Sequence, residues 1–151
     1  MSDVSTSAIE PAVGQALPVL TRTITLPSMI AYAGATWDWY RLHYDSEFIA
    51  AARLAGPVVD GQVFGALLVE QVQDWLGLDC FVSKIHFGFR NLVFADETVE
   101  CRGTVREVGD GYVILDQEVV VLSPSGDVDR VAVAPAWSRA ELGSADPRSG
   151  R

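Results

Sequence analysis

The spacing of apolar positions changes character once along the chain, near Gly77, and separates a largely helical first half from a β second half. Residues 1–15 are small, polar and interrupted by proline and glycine, which predicts a loose lead-in. LPVLTRTITL (17–26) is rich in Thr, Leu, Val and Ile with partial alternation and reads as a first strand. Pro27 and Ser28 open a short helix over SMIAYAGAT, the proline standing where a helix start tolerates it. The aromatic, charged segment WDWYRLHYD (37–45) is non-repetitive, and DSEFIAAARL (45–54) after it reads as a second short helix. There Asp45 or Ser46 would cap the free amides, with Phe48, Ala51 and Ala52 as the buried stripe. Gly56-Pro57 breaks this pattern, and the longest helix follows from about Gly61 to Leu76. It is apolar on most sides up to Val69, with Glu70, Gln71, Gln73 and Asp74 confined to its second half, so something must wrap it. Gly77 ends it, as a C-terminal glycine commonly does.

Beyond Gly77, FVSKIHFGFRNLVF, TVECRGTVREV, GYVILDQEVVVLS and DVDRVAVAPAWSRAEL show period-two or continuous β-branched runs. Gly109-Asp110-Gly111 and Pro124-Ser125-Gly126-Asp127 are turn sequences, so the last three strands form antiparallel hairpins. This order predicts one α+β domain over residues 16–140, a curved antiparallel sheet wrapped around the long helix, followed by a fraying tail at 141–151. Such a sheet leaves an edge and a face incompletely covered, and pairing of two subunits is the expected remedy.

Composition narrows the setting. A length of 151 residues suits one domain. Hydrophobic residues make up 49% and mean hydropathy is +0.21, an apolar excess that suits a subunit interface or a greasy substrate tunnel. A net charge of −9 argues against nucleic acid, whose phosphates it would repel. An anionic substrate would need a local basic patch, for which Arg41, Arg53, Lys84 and Arg90 are the candidates. Cys80 and Cys101 form no CxxC and read as buried or partly buried thiols in a reducing compartment. The first residues lack the basic start and apolar core of a signal peptide, and no apolar run approaches the roughly 20 residues of a membrane span. A cytoplasmic protein is expected.

Only two histidines offer acid–base chemistry. His86 alternates with Ile85 and Phe87 on a presumed strand and reads as structural. His43 lies in the non-repetitive segment, five residues after Asp38 and two before Asp45, where function concentrates. On spacing alone, a capping aspartate beside a surface histidine would look the same.

Three stretches in order carry a family resemblance. The first is Trp37-Asp38-Trp39-Tyr40-Arg41-Leu42-His43-Tyr44-Asp45, the second is Gly61 at the head of the long helix, and the third runs from Phe87 to Thr98. From about Gly14 to Arg139 the chain resembles the MaoC-like (R)-specific enoyl-CoA hydratase/dehydratase family, which has the hotdog fold. The family signature is roughly G-D-x-N-P-[LIV]-H-x-D, a glycine-opened central helix and then F-x-F-x-x-P-V-F-x-G-D-T. Trp37, Tyr40 and Arg41 replace the signature glycine, asparagine and proline, and Asp60 stands where many members have a histidine.

The resemblance implies that Asp38 and His43 are the catalytic pair and that the Gly61 amide meets the thioester carbonyl. Tyr40, Asp60 and Arg90 are then substrate-binding candidates. It implies syn hydration of trans-2-enoyl-CoA to the (R)-3-hydroxyacyl ester, or the reverse dehydration, with no metal and no bound cofactor. The variant ATWDWYRLHYD with VVDGQVFGALL looks like the small MaoC-like subunits of actinobacterial acyl-CoA and steroid side-chain degradation, some of which pair with a second, non-identical chain. The expected partners are therefore an acyl-CoA or acyl-carrier thioester and a homodimer or heterodimer mate. Rival readings are a hotdog thioesterase and a subunit that needs its partner for activity.

Overall fold

The computed structural model describes residues 9–77 and 79–143, and five strands and three helices follow the order expected from the sequence. Of the lead-in and tail expected at 1–15 and 141–151, residues 1–8 and 144–151 lie outside the described residues. Strand β1 (Leu20–Thr23) is shorter than the stretch 17–26, because Pro18 has no amide to give and Thr25 turns the chain into a helix. Helix α1 (Leu26–Thr36) starts with Pro27 in its first turn and with the Thr25 side chain accepting the Ser28 amide. Helix α2 (Ser46–Ala51) is capped by Asp45, whose carboxylate accepts the Phe48 amide at 3.0 Å.

The expected buried stripe of α2 needs correcting. Ile49 is the buried residue, Phe48 is half-buried, and Ala51 and Ala52 are exposed. A helix of six residues makes under two turns on the surface, so one side chain points inward. The Phe48 ring instead packs edge-on against Tyr40 and under the Arg41 guanidinium.

Helix α3 (Gln62–Leu76) buries Phe64, Leu67, Leu68, Gln71, Val72 and Trp75, the three- and four-residue spacing of a single face. Strands β2 (Phe81–Phe89), β3 (Thr98–Gly109), β4 (Tyr112–Leu122) and β5 (Val128–Glu141) form with β1 one antiparallel sheet of order β1-β3-β4-β5-β2. The sheet curls around α3, so the buried helix face meets Val99, Val119, Val133 and Ala136 at one end and Val105, Val113 and Leu115 at the other. This is the hotdog α+β layout.

Two glycines set how closely α3 approaches β2. A Cβ on Gly61 would lie 2.5 Å from the Phe89 ring, and one on Gly65 would lie 2.9 Å from the Phe87 ring. At i and i+4 these glycines share a helix face, which accepts two aromatic rings from alternate positions of the strand. The one strongly polar residue on the buried face, Gln71, donates to the Pro18 and Cys101 carbonyls at 2.9 and 2.8 Å and accepts from Gln117. Ser138 in turn donates to Gln117, so this buried network is satisfied throughout. Strands β1 and β2 are the sheet edges, and β2 exposes Phe81, Ile85 and Phe89. No helix among the described residues is long and apolar enough to cross a membrane.

Candidate active site

The loop after α1 is built to aim two side chains. Trp37 ends the helix in the left-handed region at φ 60, and the Asp38 amide donates back to the Ala33 carbonyl at 3.1 Å. Asp38 then accepts the Tyr40 amide on its own carboxylate at 3.1 Å, a local turn that holds the acid at the surface end of the site. A single 3-10 turn, Arg41–His43, carries the histidine inward, where it is buried. His43 Nδ1 lies 2.6 Å from the Val58 carbonyl oxygen. A carbonyl can only accept, so Nδ1 carries a proton and donates, and in the neutral ring the lone pair sits on Nε2. Tyr40 fixes the ring from a second side, edge-on at a centroid distance of 5.9 Å.

The segment Val58–Asp60 brings in the third member. The Val58 amide donates to Leu42 and the Val59 amide to Val93, which pins this stretch between the histidine turn and the loop after β2. Asp60 follows, its carboxylate accepting the Gln62 amide at 2.9 Å at the head of α3. One side-chain donor atom each from Asp38, His43 and Asp60 all lie within 4.8 Å of one another. One nitrogen and two carboxylate oxygens at this spacing can share a water, and they are also a set that a divalent cation could bridge. Between them is a cavity of about 10 Å³, closed by Met29, Tyr32, Ala33 and Val63. That is roughly the space one water molecule needs.

On the other side of His43 lies a larger cavity of about 330 Å³, walled by Val59, Gly61, Phe64, Phe89 and Arg90 among others. Among the described residues, the Gly61 amide has no hydrogen-bond partner. It stands at the N-terminus of α3, where free N–H groups and the helix dipole favour negative oxygen. Arg90 is exposed at this cavity, its Nε donating to the Ala134 carbonyl.

The structure thus gathers Asp38, His43 and Asp60 and sets Gly61 and Arg90 around the adjoining cavity. Tyr40 lines neither cavity and packs on the His43 ring and Phe48. Of the other basic candidates, Arg41 pairs with Asp45, while Arg53 and Lys84 line neither cavity. His86 is exposed on β2 and stacks on Trp137, outside the cluster. Met29 and Tyr32 on α1 and Val63 on α3 close the small cavity; the sequence does not single them out, because such residues on amphipathic helices look like ordinary core. Both cysteines are buried and unpaired.

The model of the MaoC-like domain family matches residues 8–123. An (R)-hydratase from A. caviae involved in PHA biosynthesis superposes with TM-score 0.77 at 21% identity, covering 87% of this chain and 96% of that one. The ChsH1-ChsH2 complex from Mycobacterium tuberculosis contains a chain that superposes with TM-score 0.74 at 24% identity, covering 87% of this chain and 98% of that one. A C-terminally truncated HadBC (3R-hydroxyacyl-ACP dehydratase) complex from the same organism gives TM-score 0.66 at 14% identity, covering 91% and 99%. No curated protein matches this chain in sequence. At these identities the structures establish a shared fold, and the family model covers most of the chain, so the protein belongs to the MaoC-like domain family.

Proposed function

We propose that this protein hydrates trans-2-enoyl thioesters to (R)-3-hydroxyacyl thioesters, or runs the reverse dehydration, with Asp38 and His43 as its acid–base pair. The observation that carries this reading is the convergence of Asp38 and His43 on a cavity sized for one water, with the Gly61 amide, unpaired among the described residues, at the adjoining cavity. Water loses a proton as its oxygen bonds to Cβ. The Cα=Cβ electron pair moves to Cα and into the thioester carbonyl, and a proton then reaches Cα. The pair handles both proton movements, and the Gly61 amide with the α3 dipole supports the negative carbonyl oxygen between them.

Arg90 supplies a local cation for the phosphates of coenzyme A or of a carrier-protein arm, against an overall charge of −9. A cytoplasmic location suits two buried, unpaired thiols. The test is incubation with crotonyl-CoA, following loss of the enoyl absorbance and resolving the product's stereochemistry. Formation of (R)-3-hydroxybutyryl-CoA is expected. Release of free thiol without hydration would assign the site to a thioesterase.

A second reading concerns assembly. The open edge of β2, with Phe81, Ile85 and Phe89 exposed, favours pairing with another MaoC-like subunit, identical or not. Two of the structural relatives are themselves described as complexes, ChsH1-ChsH2 and HadBC. Activity that appears only when such a second chain is added would make this protein the partner-dependent subunit of a heteromer.

A further inference from the structure

Each of the three side chains on the small cavity has one polar atom tied to the backbone. His43 Nδ1 donates to the Val58 carbonyl at 2.6 Å. One oxygen of Asp38 accepts the Tyr40 amide at 3.1 Å, and one oxygen of Asp60 accepts the Gln62 amide at 2.9 Å. Among the described residues, His43 Nε2 and the second oxygen of each carboxylate have no hydrogen-bond partner. His43 is 9% exposed, yet no fully enclosed side-chain nitrogen or oxygen of the described residues lacks a partner, so Nε2 opens onto the cavities that His43 lines. Tying down one atom and leaving the other free is how proteins orient side chains that ligate metals.

We propose that Asp38, His43 and Asp60 bind one divalent transition-metal ion of the zinc type, in place of water in the small cavity, and that the bound ion blocks the reaction. The donors are one imidazole nitrogen and two carboxylate oxygens, within 4.8 Å of one another. Zinc holds such ligands at roughly 2.0–2.2 Å, so they must close to about 4 Å or less, which the exposed Asp38 side chain supplies by turning. Two carboxylates beside a neutral imidazole balance a doubly charged cation, and the cavity of about 10 Å³ admits one small occupant. Magnesium and calcium call for a larger set of oxygen ligands than this trio offers. Selection should therefore place zinc and cobalt above manganese, with magnesium last. An ion on Nε2 and on the Asp38 carboxylate takes up the lone pairs that would receive the proton of the water. The binding stands on the geometry alone, and the block rests on the hydration reading above.

The experiment is calorimetric titration of tag-free, EDTA-dialysed protein with zinc, cobalt, manganese and magnesium chlorides at about pH 7.5, where a free imidazole is mostly neutral. Zinc should bind at one ion per chain, manganese more weakly, and magnesium should give no saturable heat. Asp60→Asn and His43→Gln should each weaken zinc by at least roughly tenfold, the loss that removing an orienting partner alone brings. His86→Gln, which alters the exposed imidazole on β2, should leave zinc binding unchanged. Zinc should slow crotonyl-CoA hydration, and EDTA should restore the rate. No zinc binding, magnesium binding as tightly as zinc, or zinc binding that survives Asp60→Asn and is lost in His86→Gln overturns the cation site. The ion order in the wild type decides this even if His43→Gln fails to fold. Zinc binding that leaves hydration unslowed, or raises it, overturns the block alone. Zinc binding to a protein that hydrates no crotonyl-CoA overturns the hydratase reading alone.

Discussion

Val58 decides what His43 can do. By accepting from Nδ1 at 2.6 Å, its carbonyl leaves Nε2 as the ring nitrogen that can serve as base in the cluster with Asp38 and Asp60. The same trio is the proposed cation site, and a blocking ion parts from a required one on a simple measurement. Hydration should continue undiminished after dialysis against EDTA, whereas loss restored by a divalent ion would make the metal part of the reaction. Cys101 gives an independent residue-level check, since burial pushes its thiol up to about 12. It should resist alkylation in the native protein and react once the chain is unfolded in urea. A thiol raised on folding contributes stability below its unfolded value of about 8.5 that is lost as pH rises towards the folded value. The urea midpoint should therefore fall between pH 8 and pH 11. At this scale the Asp38–His43 spacing was legible in the sequence, and so was Gly61. That Asp60 joins the pair was not, because the proximity depends on Val58 and Val59 being pinned between Leu42 and Val93.

Helix α3 meets the sheet through two features of opposite chemistry. Gly65 gives room for the Phe87 ring, and a Cβ there would come within 2.9 Å of it. Alanine would recover helix propensity while crowding the ring, so valine is the cleaner probe. Gly65→Val should cost about 1–3 kcal/mol in urea denaturation. Gln71 carries the polar counterpart, and Gln71→Leu would strand the Pro18 and Cys101 carbonyls and one Gln117 contact in the core. Its expected cost is also about 1–3 kcal/mol, and a stability equal to wild type would show that water replaces those contacts. The apolar periodicity made α3 and the hairpins readable. It overstated how much of α3 is buried, because the pattern counts hydrophobic residues without showing which face the sheet covers. On α2 it chose Ala51 and Ala52 over Ile49 for the same reason.

For the whole molecule, the sheet edge and the site pull in one direction. Strand β2 leaves its outer backbone unpaired and exposes Ile85, and its last residue, Phe89, walls the cavity beside Gly61. A dimer closed along this edge should give twice the chain mass in light scattering, and Ile85→Lys should shift it towards monomer. The curved sheet around one helix could be inferred from the order of elements, whereas the mate of the open edge could not, since one chain does not encode whether its partner is identical. The roles proposed for Asp38 and His43 are tested by the crotonyl-CoA hydration rate of Asp38→Asn and His43→Ala, each first shown to be folded by circular dichroism. In each variant kcat should fall by roughly 10²–10⁴-fold. Hydration at close to the wild-type rate in either one would contradict those roles.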